Sequence, residues 1–200
     1  IPLYAFIENN NKKYPDLFHM ASIGFTLFER AWALTGLPEL MMYLLTEPDF
    51  VHDLLDRITE YNIGVVEHAA RLGIDCLHTA DDWGAQNGLL ISKDMWIEFI
   101  KPRFRKICDV AKQHKLLISH HSCGKVDELI PDMIDCGVDV FDPFQPEAMD
   151  IYSVRNTYRG KMAFWGGLCV QKTLPYGTTA DVENESLRLL NEMAPGGGYV

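Results

Sequence analysis

Apolar positions in the first third of the chain fall at helical spacing. Phe18 to Thr26 reads as a strand leading into a helix through Phe28-Glu29-Arg30-Ala31-Trp32. Pro38 suits the first turn of a short helix, and Thr46 with Asp49, around Pro48, resembles a capping box. Phe50, Val51, Leu54, Leu55, Ile58, Tyr61, Val65, Val66, Ala69 and Leu72 then recur every three or four residues. That period predicts a long amphipathic helix, stopped by Gly73.

Beyond Gly73 the pattern changes to short apolar runs alternating with helices. Ile74 to Thr79, Leu116 to His120, Val138 to Phe141 and Met162 to Trp165 read as strands, and Tyr199-Val200 as the start of a fifth. Between them, Ser92 caps a helix with the stripe Trp96, Phe99, Ile100, Phe104, Ile107 and Ala111, bent at Pro102. A second helix runs from about Lys125 to Cys136, a short one precedes Met162, and Thr178 with Asp181 caps the last. Strands recurring every 22 to 42 residues with helices between them predict a parallel α/β sheet in a single domain over residues 1–200. Polar and glycine residues follow four successive strand ends, which favours a (β/α)8 barrel over an open doubly wound sheet with one switch point. The chain opens on Ile1-Pro2 and closes inside an apparent strand. The expectation is therefore an incomplete TIM barrel, lacking N-terminal units and its C-terminal end. Its open sheet edges would favour association, with a homodimer as one outcome.

Charge narrows the partners. Eighteen Lys and Arg stand against 28 Asp and Glu, a formal net charge of −10. That sign argues against nucleic acid. No apolar run is long enough to span a bilayer. The five cysteines, Cys76, Cys108, Cys123, Cys136 and Cys169, are odd in number and form no CxxC pair, so reduced thiols in a cytoplasmic protein are expected.

His121-Ser122-Cys123 is the sharpest chemical signal. In extended backbone, residues two apart share a face, so an imidazole and a thiol converge at a strand mouth as two zinc ligands. The plainer reading is a packed histidine and an inert thiol. His120 points the other way and reads as structural. Asp81-Asp82 can orient substrate, hold a ligand histidine or act as a base, or simply cap a turn. Gln86 suits a polar substrate or a solvated loop. Asp142 and Gln145 sit on a rigid turn between Pro143 and Pro146. Cys169 is a conceivable further soft ligand or a packed residue, and Glu29-Arg30 reads as an ion pair on a helix.

Several short motifs occur in one order. They are Asp82-Trp83-Gly84 with Gln86, Lys101-Pro102-Arg103, His121-Ser122-Cys123-Gly124, and Asp142-Pro143 with Gln145-Pro146. Phe164-Trp165-Gly166-Gly167 with Gln171, Leu174-Pro175 with Gly177-Thr178, and Gly196-Gly197-Gly198-Tyr199 complete the set. From about Ser22 to the end, the chain resembles the uroporphyrinogen decarboxylase superfamily. The resemblance implies a (β/α)8 barrel and two branches of chemistry. One is metal-free removal of carboxylates from a tetrapyrrole, in porphyrin biosynthesis, by an essential Asp in N-terminal units. The other is zinc-dependent transfer of a methyl group between a corrinoid and a thiol or similar acceptor, with an HxC pair and a distant C-terminal Cys.

His121 and Cys123 match the HxC pair, and the resemblance leans toward the methyltransferase-like branch. The resemblance then implies His121 and Cys123 as metal ligands, with a third ligand beyond Val200. It implies Asp82 and Gln145 as catalytic groups, and Gln86, Asp142, Gly166 and Gly167 as substrate-binding. Zinc is the implied metal, and a corrinoid, free or on a partner protein, the methyl carrier beside a small-molecule acceptor. The decarboxylase stays open as the alternative, with Arg30, Lys101, Arg103 and Lys125 as its candidate basic cluster. A non-catalytic barrel that binds a corrinoid or a partner is the third reading.

Overall fold

Five parallel strands form the sheet: β1 (Met20–Ile23), β2 (Cys76–Ala80), β5 (Leu117–His121), β6 (Val140–Asp142) and β7 (Ala163–Phe164). They come from a computed structural model that describes residues 2–200, with side chains from Ala5 onward. The spatial order, β1-β2-β5-β6-β7, follows the chain without reversal. A doubly wound sheet reverses its order at a switch point, whereas a barrel adds each strand beside the last. Tyr199 continues the series by a parallel bridge to Phe164. A two-stranded hairpin, β3 (Gly84–Ala85) with β4 (Gly88–Leu89), lies outside this sheet, after β2; neither arm is long enough to show a period in the sequence.

Helices α2 (Phe28–Thr35), α3 (Leu37–Thr46) and α4 (Pro48–Ala70) follow β1, after an opening helix α1 (Pro2–Lys13). The pattern of apolar positions does not predict α1. Its Asn-rich stretch is a poor helix former, and Asn11 ties it down by donating to Leu72 O at 2.9 Å. The expected box at Thr46 and Asp49 does not form. Thr46 Oγ1 instead donates back to Met42 O, and Pro48 in the first turn starts α4. At Thr178 the capping box is present in full, opening α10 (Thr179–Met193). The bend expected at Pro102 takes the form of a π-helical turn, Trp96–Ile100, between α5 (Lys93–Met95) and α6 (Lys101–Gln113). Proline has no N–H for the regular ladder, and the turn before it widens. The helix read over Lys125 to Cys136 shrinks to a 3-10 turn, Asp127–Leu129, and α7 (Ile130–Asp135). Two short helices, α8 (Ile151–Tyr158) and α9 (Thr173–Tyr176), complete the set.

Strand alternation divides the sheet into two faces. Leu77, Ile118, Phe141 and Phe164 are fully buried beneath the helices. The opposite, inner face carries Cys76, His78, Ser119, His121, Val140 and Asp142. On that face Met20, Leu117 and Trp165 remain 41%, 44% and 41% exposed, so the described residues leave it uncovered. No helix among them is long and apolar enough to cross a membrane.

Candidate metal centre

The carboxyl ends of β2, β5 and β6 converge because their register pairs Ala80 with His121 and His121 with Asp142. His121 Nδ1 lies 2.6 Å from Asp142 Oδ1. Its Nε2 is 3.4 Å from Cys123 Sγ and 3.8 Å from Asp82 Oδ1. Asp82, His121 and Cys123 each offer one ligand atom, all within 4.8 Å of one another. Hydrogen bonds to Asp142 and then Cys123 push His121 up to about 10, against burial. Without a metal the ring is therefore imidazolium, donating from both nitrogens. The donor set of one sulfur, one nitrogen and one carboxylate fits zinc, and the carboxylate on the far ring nitrogen is the partner that orients a ligand histidine.

The backbone around these side chains is held by the same groups. Asp82 Oδ1 accepts the Cys123 N–H at 2.8 Å, and Gln145 Oε1 accepts the Gly124 N–H at 2.7 Å. Ser122 turns away and accepts the Trp83 N–H through its hydroxyl. Glu29, 7% exposed, accepts the Asp82 N–H, and burial pushes it up to about 7. The ion pair expected between Glu29 and Arg30 does not form; Arg30 donates to Gly24 O. Adjacent residues on a helix do not face each other, and this signal was available beforehand.

The two aspartates divide. Asp82 enters the cluster, while Asp81 is fully buried and accepts the N–H groups of Leu27, Phe28 and Glu29 and the Trp83 indole. Burial pushes Asp81 up to about 6 in spite of those bonds. His120 faces the helices, stacked on Trp83 at 4.2 Å between ring centroids and 2.9 Å from Thr79 Oγ1.

The other residues singled out from sequence lie around the rim. Gln86 bridges loops, donating to Glu147 O and accepting from Gln171 Nε2. Gly166 and Gly167 have φ of +103° and +98°, and a side chain on Gly166 would collide with the carbonyl of Pro143. Cys169 stays outside the cluster, with its N–H on Glu185. Of the basic residues considered for a tetrapyrrole, Lys101 pairs with Asp132 and Asp135, Arg103 with Asp56 and Lys125 with Asp127.

All five cysteines are free. Burial raises Cys76 and Cys136 to about 11 and raises Cys108 as well, whereas Cys123 and Cys169 are half-buried. A disulfide-exchange reagent near pH 8 is thus expected to modify Cys123 and Cys169 in native protein, and the other three only after unfolding. Fast labelling of Cys76, Cys108 or Cys136 would contradict this burial.

Comparison with known proteins places the fold and the family. Over 180 residues the chain is 23% identical to the methylated-thiol–coenzyme M methyltransferase of Methanosarcina mazei, covering 90% of this chain and 47% of that protein. Over 104 residues it is 28% identical to the methylcobamide:CoM methyltransferase MtaA of Methanosarcina barkeri, covering 52% of this chain and 29% of that one. The chain thus spans about half the length, or less, of these curated relatives. A solved methyltransferase from Methanosarcina mazei superposes with a TM-score of 0.81 at 20% identity, over 98% of this chain and 56% of its own, and establishes the barrel-type fold. Residues 21–200 match the uroporphyrinogen decarboxylase (URO-D) family, and the chain belongs to it.

Proposed function

We propose that this chain carries the metal centre of a zinc-dependent methyltransferase, which moves a methyl group between a corrinoid and a thiol or similar small acceptor. The observation that carries the reading is the convergence of His121 Nε2, Cys123 Sγ and Asp82 Oδ1 while Asp142 holds His121 Nδ1. The names of the two curated relatives support the reaction class. Zinc bound there would lower the pKa of an acceptor thiol so that it is nucleophilic near neutral pH.

The chain's own residues prepare that site. Asp142 keeps a proton on Nδ1 and so presents Nε2 toward Cys123. Asp82 is the third donor among the described residues, where the sequence resemblance implied a ligand beyond Val200. Gln145 holds the turn after Cys123 through Gly124. The substrate-binding roles of Gln86, Asp142, Gly166 and Gly167, and docking of a corrinoid protein or free corrinoid at this mouth, belong to the same proposal. The metal-free decarboxylase is disfavoured because three of its four candidate basic residues, Lys101, Arg103 and Lys125, are already ion-paired, and the fourth, Arg30, is turned to Gly24 O.

Zinc per chain in the intact protein, against Cys123→Ser, tests the reading. About one zinc is expected in wild type and a small fraction of that in the variant. Because His121 holds its proton up to about 10, zinc must displace it, and uptake should strengthen as pH rises from about 6 to about 8. Wild type that takes up no zinc on reconstitution would remove the metal reading and return the decarboxylase to first place.

A further inference from the structure

His78 lies on the inner face, and neither the sequence motifs nor the centre described above gives it a role. It sits on β2 two residues before Ala80, and its register partner on β5 is Ser119. Alternation turns His78, Ser119, His121 and Asp142 to the same side of the sheet. Asp142 is the group they share. Its Oδ1 is taken by His121 Nδ1 at 2.6 Å, but among the described residues Oδ2 has only a long bond from Ser119 Oγ at 3.4 Å. His78 Nδ1 stands 3.7 Å from that same Oδ2.

That nitrogen is buried and has no hydrogen-bond partner among the described residues. A buried polar atom without a partner is costly, so native structures rarely leave one when an acceptor is this near. The ring is backed by Trp165, 6.2 Å away between centroids, and stands edge-on to His121 at 6.4 Å. An imidazole carries an N–H on at least one ring nitrogen, whether neutral or charged. Facing a carboxylate oxygen, Nδ1 is the nitrogen that holds this proton, since a lone pair there would be repelled.

We infer that His78 is a positioning residue: its Nδ1–H closes onto Asp142 Oδ2, so the carboxylate is clamped between two imidazoles and its Oδ1 stays on His121 Nδ1. A shift of about half an ångström brings the pair into hydrogen-bond range. With Oδ2 fixed, Asp142 cannot rotate away from His121, and the His121 ring keeps Nε2 toward Cys123. The clamp needs no metal, whereas its effect on metal affinity rests on the proposed zinc centre.

His78→Phe keeps an aromatic ring and removes the donor, while His78→Asn keeps an N–H near the position of Nδ1. In the metal-free intact protein, proton NMR is expected to show a downfield His121 Nδ1–H resonance in wild type and His78→Asn, lost or broadened in His78→Phe. With metal, zinc affinity should fall about tenfold to a hundredfold in His78→Phe and recover in His78→Asn, with the cobalt-substituted absorption spectrum changing in parallel. The thermal midpoint reports folding. A folded His78→Phe protein with wild-type resonance and affinity would overturn the inference, as would a folded His78→Asn protein that behaves like His78→Phe. If His78→Phe does not fold, His78→Gln replaces it, since its amide sits one atom too far out to reach Asp142 in the same way. Loss of the resonance with no zinc uptake by wild type would sink the metal proposal and leave the clamp standing.

Discussion

Replacing Asp81 with alanine is expected to remove about 4 kcal/mol of folding stability, seen as a lower denaturation midpoint at unchanged slope. Asp81 Oδ1 accepts the N–H groups of Leu27 and Glu29 at 3.2 and 2.9 Å, and Oδ2 accepts Phe28 N–H and the Trp83 indole at 2.9 and 2.8 Å. Three of these donors belong to the start of α2 and have no partner within the helix. Alanine would leave four donors stranded beside a side chain with no exposure to water. Asparagine should recover little, because its NH2 group would face an N–H wherever Oδ2 now accepts. The loss is a large share of the roughly 5–15 kcal/mol that holds a domain together, and the variant should populate unfolded or aggregated chain at ambient temperature. A loss under about 1 kcal/mol would show that water replaces the carboxylate, and that the β1–α2 corner is looser than its hydrogen bonds indicate.

Gly124→Ala is expected to cost several kcal/mol and, in the folded fraction, to weaken zinc uptake by at least about tenfold. Gly124 has φ of +82°, a region in which side chains are disfavoured. A Cβ there would lie 2.5 and 2.6 Å from the carbonyl carbon and oxygen of Gly84, and 2.7 Å from Ala85 O. These are backbone atoms of the hairpin, which a flexible side chain could not yield in their place. The same backbone carries the Lys125 N–H to Ala85 O bond at 2.8 Å, so relief of the clash moves Cys123, its neighbour in the chain. Gly64→Ala is the control. Gly64 lies within α4 with open space around its Cβ position, and alanine should stabilise by about 0.5–1 kcal/mol. Equal effects at the two glycines would remove the argument for a close backbone crossing beside the thiol.

Much of this protein was legible before its structure. The apolar run from Phe50 to Ala69 gave α4, because a helix needs only local hydrogen bonds and one buried stripe. Four short runs gave β2, β5, β6 and β7, since strands covered by helices must be apolar. Alternation alone separated His121 from His120. Local signals failed where the outcome depended on distant partners. Thr46 and Asp49 had the spacing of a cap and formed none, because Pro48 and the chain path had already set the entry to α4. Asp81 and Asp82 are chemically identical neighbours, and only the approach of α2 makes one a buried cap and leaves the other at the cluster.

The sequence by itself determined the order of the sheet strands and of the longer helices between them, the face that each strand residue takes, and the HxC pair. Those properties follow from periods of two and 3.6 residues and from chemistry carried within three positions. Only the tertiary structure decided which groups meet. Asp82, Asp142, Glu29 and His78 come from other strand ends and from α2, up to about a hundred residues away from Cys123. Sheet register places them, and register is a property of the pairing between strands that no single strand contains.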